Sequence, residues 1–146
     1  MVRRAIMFVA VCFIACTPAH ALTAVCKNPV GRISGVHGNA AGGKAFDEPD
    51  AISNATFTFL WNRGESEATI VSQSSGGSAS TKETALLIFD SDEQLTFLVV
   101  YESAVWIYSV YPLRKMALMT SHNNGVSVDS GGAVVKSYQA TCDIGQ

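Results

Sequence analysis

From Ala55 onward apolar and polar positions alternate with a period of two, and turn signals punctuate the alternation every eight to twelve residues. Ala55 to Asn62 sets Phe57, Phe59 and Trp61 against Thr56, Thr58 and Leu60, and Asn62-Arg63-Gly64-Glu65 follows as a turn. Ala68 to Gln73 reads as the next strand and Ser74 to Ser80 as a Gly/Ser-rich loop. Thr84 to Thr120 is the most orderly stretch, and two hairpin tips set its register independently. With Ser91-Asp92 as one tip, Ile88 faces Leu95 and Leu86 faces Phe97; with Glu102-Ser103 as the other, Tyr101 faces Ala104, Val99 faces Trp106 and Phe97 faces Tyr108. Both placements put Leu86, Ile88, Leu95, Phe97, Val99, Tyr101, Ala104, Trp106, Tyr108 and Val110 on one face. The opposite face carries Leu87, Phe89, Leu98, Val100, Val105 and Ile107, more apolar than the wet side of an antiparallel sheet should be. It predicts a covering layer, either a second sheet or the N-terminal segment; the other reading is an apolar surface for a ligand or partner.

The chain turns again at Pro112-Leu113-Arg114, at Asn123-Asn124-Gly125 and at Asp129-Ser130-Gly131-Gly132, and the last strand runs from Ala133 to Cys142. Residues 22–54 show no sustained period. They are rich in Gly, Ala and Asn, end in the acidic turn Asp47-Glu48-Pro49-Asp50, and predict loops with one short strand around Arg32 to Val36. No segment carries a helical stripe. The pattern predicts an all-β fold, an antiparallel meander of about eight strands forming a small closed or partly open barrel. A β-sandwich is the alternative. Residues 22–54 and the meander over 55–146 together make one domain.

Residues 1–21 read as an export signal. Arg3 and Arg4 precede an apolar run from Ala5 to Ala15, Thr17-Pro18 breaks it, and Ala19-His20-Ala21 supplies small residues for cleavage. About eleven apolar residues fall short of the roughly twenty that span a bilayer, and the mature chain offers no transmembrane segment. Phe13-Ile14-Ala15-Cys16 also resembles a lipobox, which would make the protein a lipoprotein anchored through Cys16. The short Arg-Arg signal has a bacterial look, so the expected location is the periplasm or the outside of the cell.

Without that signal, two cysteines remain, Cys26 and Cys142, near the two ends of the mature chain. A disulfide between them ties the first segment to the last strand, as an oxidising compartment permits. The mature chain holds eight Lys and Arg against twelve Asp and Glu, a net charge of −4, and its basic residues are scattered. That balance argues against nucleic acid as a partner.

Candidate chemistry is sparse. Asp129-Ser130-Gly131-Gly132 matches the tetrapeptide around the nucleophile of chymotrypsin-like proteases, but His37 and His122 lack the context of a general base. Asp90, Asp92 and Glu93 cluster at a hairpin tip without EF-hand spacing, and two histidines without a third ligand do not make a zinc site. We expect no catalytic residues, no cofactor and no metal. The candidate contacts for a ligand or partner are the aromatics Phe97, Tyr101, Trp106, Tyr108 and Tyr111, with Arg114 on the Tyr111-Pro112-Leu113-Arg114-Lys115 tip.

In general plan the chain is similar to the periplasmic lysozyme inhibitors of the membrane-bound C-type class, small exported β-barrels whose ends are tied by a disulfide. The likeness covers architecture. Ser34-Gly35-Val36-His37 lacks the tyrosine of their Ser-Gly-x-x-Tyr loop, so no inhibitory residue carries over. Two functions follow from the sequence: a barrel that holds an apolar small molecule or caps an envelope protein without catalysis, or a structural envelope protein with no ligand.

Overall fold

The computed structural model describes residues 21–37, 43–74, 80–123 and 132–145. Residues 1–20 of the export signal, the lipobox at Cys16, the Asn124-Gly125 turn and the Asp129-Ser130-Gly131 tripeptide lie outside them. Within the described residues the fold is all-β. Its strands are β1 (Ala21–His37), β2 (Lys44–Ala51), β3 (Thr56–Asn62), β4 (Glu67–Gln73), β5 (Thr81–Asp90), β6 (Leu95–Val100), β7 (Ala104–Tyr111), β8 (Met116–Asn123) and β9 (Val134–Gly145). A single turn of 3-10 helix at Pro112–Arg114 joins β7 to β8.

Every neighbouring pair is antiparallel. Strands β3 to β9 form a meander, and β1 inserts between β3 and β9 to close it into a barrel of eight strands. β2 is an additional strand outside the closed circuit. Closure rules out the sandwich and removes the exposed edges that an open sheet would present. Cys26 and Cys142 are directly paired in the β1–β9 seam, with Cα atoms 4.0 Å apart, and their disulfide spans 116 residues of chain.

β1 is far longer than the short strand expected from residues 22–54. Its N-terminal half pairs with β3, its C-terminal half with β2, and both halves pair with β9. The change of partner happens at a bulge between Lys27 and Val30, where Asn28 adopts φ 50°, a left-handed conformation that asparagine tolerates. The bulge is tied to the β2–β3 corner: Asn28 N–H donates to the Ala55 carbonyl at 3.0 Å, Ile52 N–H to Pro29 at 2.9 Å, and Asn54 N–H to Asn28 Oδ1 at 2.9 Å. Arg32 reaches from β1 to Asp47 on β2 with one guanidinium edge, Nε and Nη2 donating to the two carboxylate oxygens at 2.9 and 2.7 Å. Gly31 and Gly35, which read as loop signals, are strand residues instead. A Cβ at Gly31 would collide with the Ser137 carbonyl of β9, so glycine is what allows these two backbones to approach. Ser34-Gly35-Val36-His37 likewise belongs to β1 and forms no loop.

The interior is filled from both walls. Phe59 and Phe97 are fully buried with ring centroids 6.2 Å apart, and the edge of Tyr108 meets Phe59 at 5.6 Å. Ala24, Ala68, Ala85 and Ala117, all small, face the same core and leave these rings their volume. The second hairpin has the expected register, with Phe97 opposite Tyr108 and Val99 opposite Trp106.

The first hairpin does not. Ser91 N–H bonds to the Gln94 carbonyl, which moves the tip to Asp92-Glu93, and the register shifts at Ile88 between Leu87 and Phe89. Leu87 therefore stands opposite Phe97, while Leu86 and Ile88, expected inside, are 49% and 53% exposed. A one-residue slip is enough, because side chains alternate between faces. No second layer among the described residues covers the apolar outer face either. Val100 is 62% exposed and Phe89 51% exposed; the closed barrel itself supplies the core.

Two stability measurements follow. Replacing Cys26 and Cys142 by serine should cost about 2–5 kcal/mol in denaturant unfolding, the range for a disulfide closing a loop of this size. Phe97→Ala should cost about 3–5 kcal/mol, whereas Ile88→Ala should stay within about 0.5 kcal/mol. Equal losses at the two positions would return Ile88 to the core and remove the bulge.

Candidate functional site

The two mouths of the barrel differ. At the end where β1 starts, the inward-facing Leu22, Trp61 and Leu95 are buried, and Trp61 Nε1–H donates to the Glu65 carbonyl at 2.8 Å. Those side chains floor a pocket of about 300 Å³ at this end, which Arg63, Asp90, Asp92 and Leu113 also line. At the other end the rows of inward residues reach the rim as larger and more polar groups, and a cleft of about 410 Å³ opens there.

The floor of the cleft is aromatic. Phe57 and Tyr108 are buried, with centroids 6.4 Å apart, and Trp106 stacks on Tyr108 at 5.7 Å and an interplanar angle of 14°. The β2–β3 corner, held by the β1 bulge, contributes Asp50, Ile52 and Ala55 to one lip. The ends of β4 and β5 contribute Ser72, Gln73 and Glu83, and β9 contributes Lys136 and Tyr138. Period-two alternation sends these side chains to one rim: Lys136 and Tyr138 are two apart on β9, and Trp106 and Tyr108 two apart on β7.

Two tyrosine–carboxylate pairs brace the rim. Tyr138 Oη–H donates to Asp50 Oδ2 at 2.5 Å, and Tyr101 donates to Glu83. Partial burial pushes both phenols well above their ordinary value of 10.0, and the bonded carboxylates push them further. Burial raises Tyr108 as well, with the charge of Glu83 adding to it. All three phenols thus stay neutral donors through physiological pH. Below Trp106, the inward row of β8 holds Ser121, which is fully buried and stands in register between Trp106 and Lys136. Ser121 Oγ and Asn123 Oδ1 are buried without a hydrogen-bond partner among the described residues. Such orphans are uncommon in a folded protein.

Of the residues singled out in the sequence, Tyr101, Trp106 and Tyr108 come together in this cleft. Phe97 lies beneath it, fully buried in the core. Tyr111 and Arg114 are at the opposite end of β7, on the side of the Trp61 mouth. Asp50, Glu83, Lys136 and Tyr138 escaped the sequence reading. Asp50 sat in a segment without a period, and Glu83 is distinguished only by the slip at Ile88, which makes its row on β5 the inward one. Tyr138 and Lys136 had a usable signal, since they alternate with Ala140 and Cys142 along the final strand.

Among the described residues, no three His, Cys, Asp or Glu side chains are grouped to hold a metal ion. At the acidic hairpin tip, Asp92 instead pairs with Arg63 at 3.0 Å. His122 points outward from β8 and is exposed. No helix among the described residues is long and apolar enough to cross a membrane. Comparison with protein-family models, with curated proteins and with solved structures finds no match for this chain.

The tyrosine pairs predict an alkaline response. Because the folded state holds the phenolic protons more tightly than the unfolded chain, this contribution to stability is complete below pH 10. It is lost as pH climbs from there through the higher folded-state values. Ultraviolet titration of the native protein should show Tyr101, Tyr108 and Tyr138 ionising only above the ordinary range, with unfolding accompanying them. Reversible ionisation of all the phenols at their usual value would contradict the burial and the pairing.

Proposed function

We propose that this protein is an exported binding module that holds a small molecule with an apolar body in the open mouth of its barrel and carries out no catalysis. The observation that carries this reading is the aromatic floor of one mouth, where the stacked Trp106–Tyr108 pair lies at the bottom of an open cleft. Folding ordinarily uses such rings to fill space, and a half-buried tryptophan over an aromatic floor is a surface that gains by being covered. The scaffold beneath is rigid, being a closed sheet stapled at its seam. Hydrolytic chemistry gains no support, because nothing among the described cleft residues pairs a nucleophile with a histidine base. Export is supported by the signal-like residues 1–21 and by a disulfide suited to an oxidising periplasm or exterior.

A second reading, a protein partner, is favoured by a different surface. Leu86, Leu98 and Ile107 are aligned across β5, β6 and β7 on the outer wall, with exposed Val100 on the same face of β6. An apolar band of this kind marks contact surfaces on many folds. A structural envelope protein without a ligand would need neither surface.

Native mass spectrometry of the mature protein, recovered from its own host's envelope, separates these readings. The expected result is an added small-molecule mass, absent from a Trp106→Ala variant that still unfolds cooperatively. A protein-sized addition would transfer the function to the outer wall. A bare polypeptide, together with unchanged tryptophan fluorescence on adding envelope extracts, would leave only the structural role.

A further inference from the structure

We infer that the ligand of the open mouth is an organic ammonium ion, a cationic N–H headgroup on an apolar body. The inference rests on the binding reading above and specifies its chemistry. The cleft is built from π faces and acceptors. Phe57, Tyr108 and Trp106 supply ring surfaces that attract a cation through their quadrupoles. Asp50 and Glu83 supply two carboxylates against the single positive charge of Lys136 among the described lining residues, an excess of −1.

The hydrogen-bonding inventory points the same way. The Tyr101 and Tyr138 hydroxyls already spend their protons on Glu83 and Asp50, so these two tyrosines offer a ligand no free donor. Each carboxylate keeps lone pairs beyond the one its tyrosine uses. Ser121 Oγ and Asn123 Oδ1 add buried oxygens with no partner among the described residues. An unmet buried acceptor costs free energy until a donor arrives. A ligand bearing N–H groups and a positive charge satisfies the carboxylates and the rings together. An anionic ligand would find donors in Lys136, Gln73 and the Trp106 indole, but it would enter against both carboxylates.

The test uses three probes of one shape and different charge: phenethylammonium, phenethyl alcohol and hydrocinnamate. Each is titrated into the full mature protein at neutral pH while NMR follows the indole signal of Trp106. Phenethylammonium should bind roughly tenfold tighter than the alcohol, the scale of a partly desolvated cation–π and charge contact, and hydrocinnamate should bind weakest. Glu83→Gln keeps an acceptor for Tyr101 while removing the charge. It should abolish most of the ammonium preference, weakening phenethylammonium far more than the alcohol, whereas a merely structural effect would weaken all probes alike. Tightest binding of hydrocinnamate would overturn the inference in favour of Lys136. Equal binding of all three would also overturn it, while leaving a cleft that reads only an apolar body. If no probe at saturating concentration moves the Trp106 signal, the binding reading falls with it.

Discussion

The β1–β9 seam is the constraint on which the rest of the molecule depends. A meander of seven strands, β3 to β9, has two open edges, and β1 satisfies both by lying between its first and last members. Without that strand the backbone groups of β3 and β9 would face water, and the inner face would have no enclosed volume to bury. The seam is also the contact of greatest sequence separation, so its closure is entropically the most expensive step. Cys26–Cys142 sits within it and removes much of that loss from the unfolded state. Gly31 lets the two backbones approach, and the Asn28 bulge lets β1 exchange β3 for β2 without leaving β9.

Closure then decides where chemistry can occur. A barrel of this size has an interior that side chains can fill, and Phe59, Phe97, Ile70 and Met119 fill its middle. Space remains only at the mouths. One is floored by Trp61, Leu22 and Leu95; at the other, the inward rows end in Glu83, Lys136 and Tyr138. The β1 bulge has a second consequence there, since the corner it anchors carries Asp50 to the rim, where Tyr138 donates to it. One device that solves a pairing problem in the sheet therefore also places a carboxylate in the cleft. The tyrosine–carboxylate pairs make the rim rigid and rich in acceptors, which favours a ligand that brings its own donors.

What was legible in the chain by itself was the part that depends on local alternation. Period two from Ala55 onward established an all-β meander, and the Glu102-Ser103 tip correctly opposed Phe97 to Tyr108 and Val99 to Trp106. Two cysteines near the ends of the mature chain foretold the staple. These features are local, or follow from composition, and neighbouring residues suffice to specify them. The tertiary structure alone decided closure over sandwich, the outward turn of Leu86 and Ile88, and the promotion of a Gly-rich stretch to the longest strand. It alone gathered Asp50, Glu83, Trp106 and Tyr138 at one mouth. The physical reason is common to all of these. A strand's pattern specifies its two faces but not which face is enclosed, nor how far it is staggered against a distant partner. Both are settled only when the last strand meets the first.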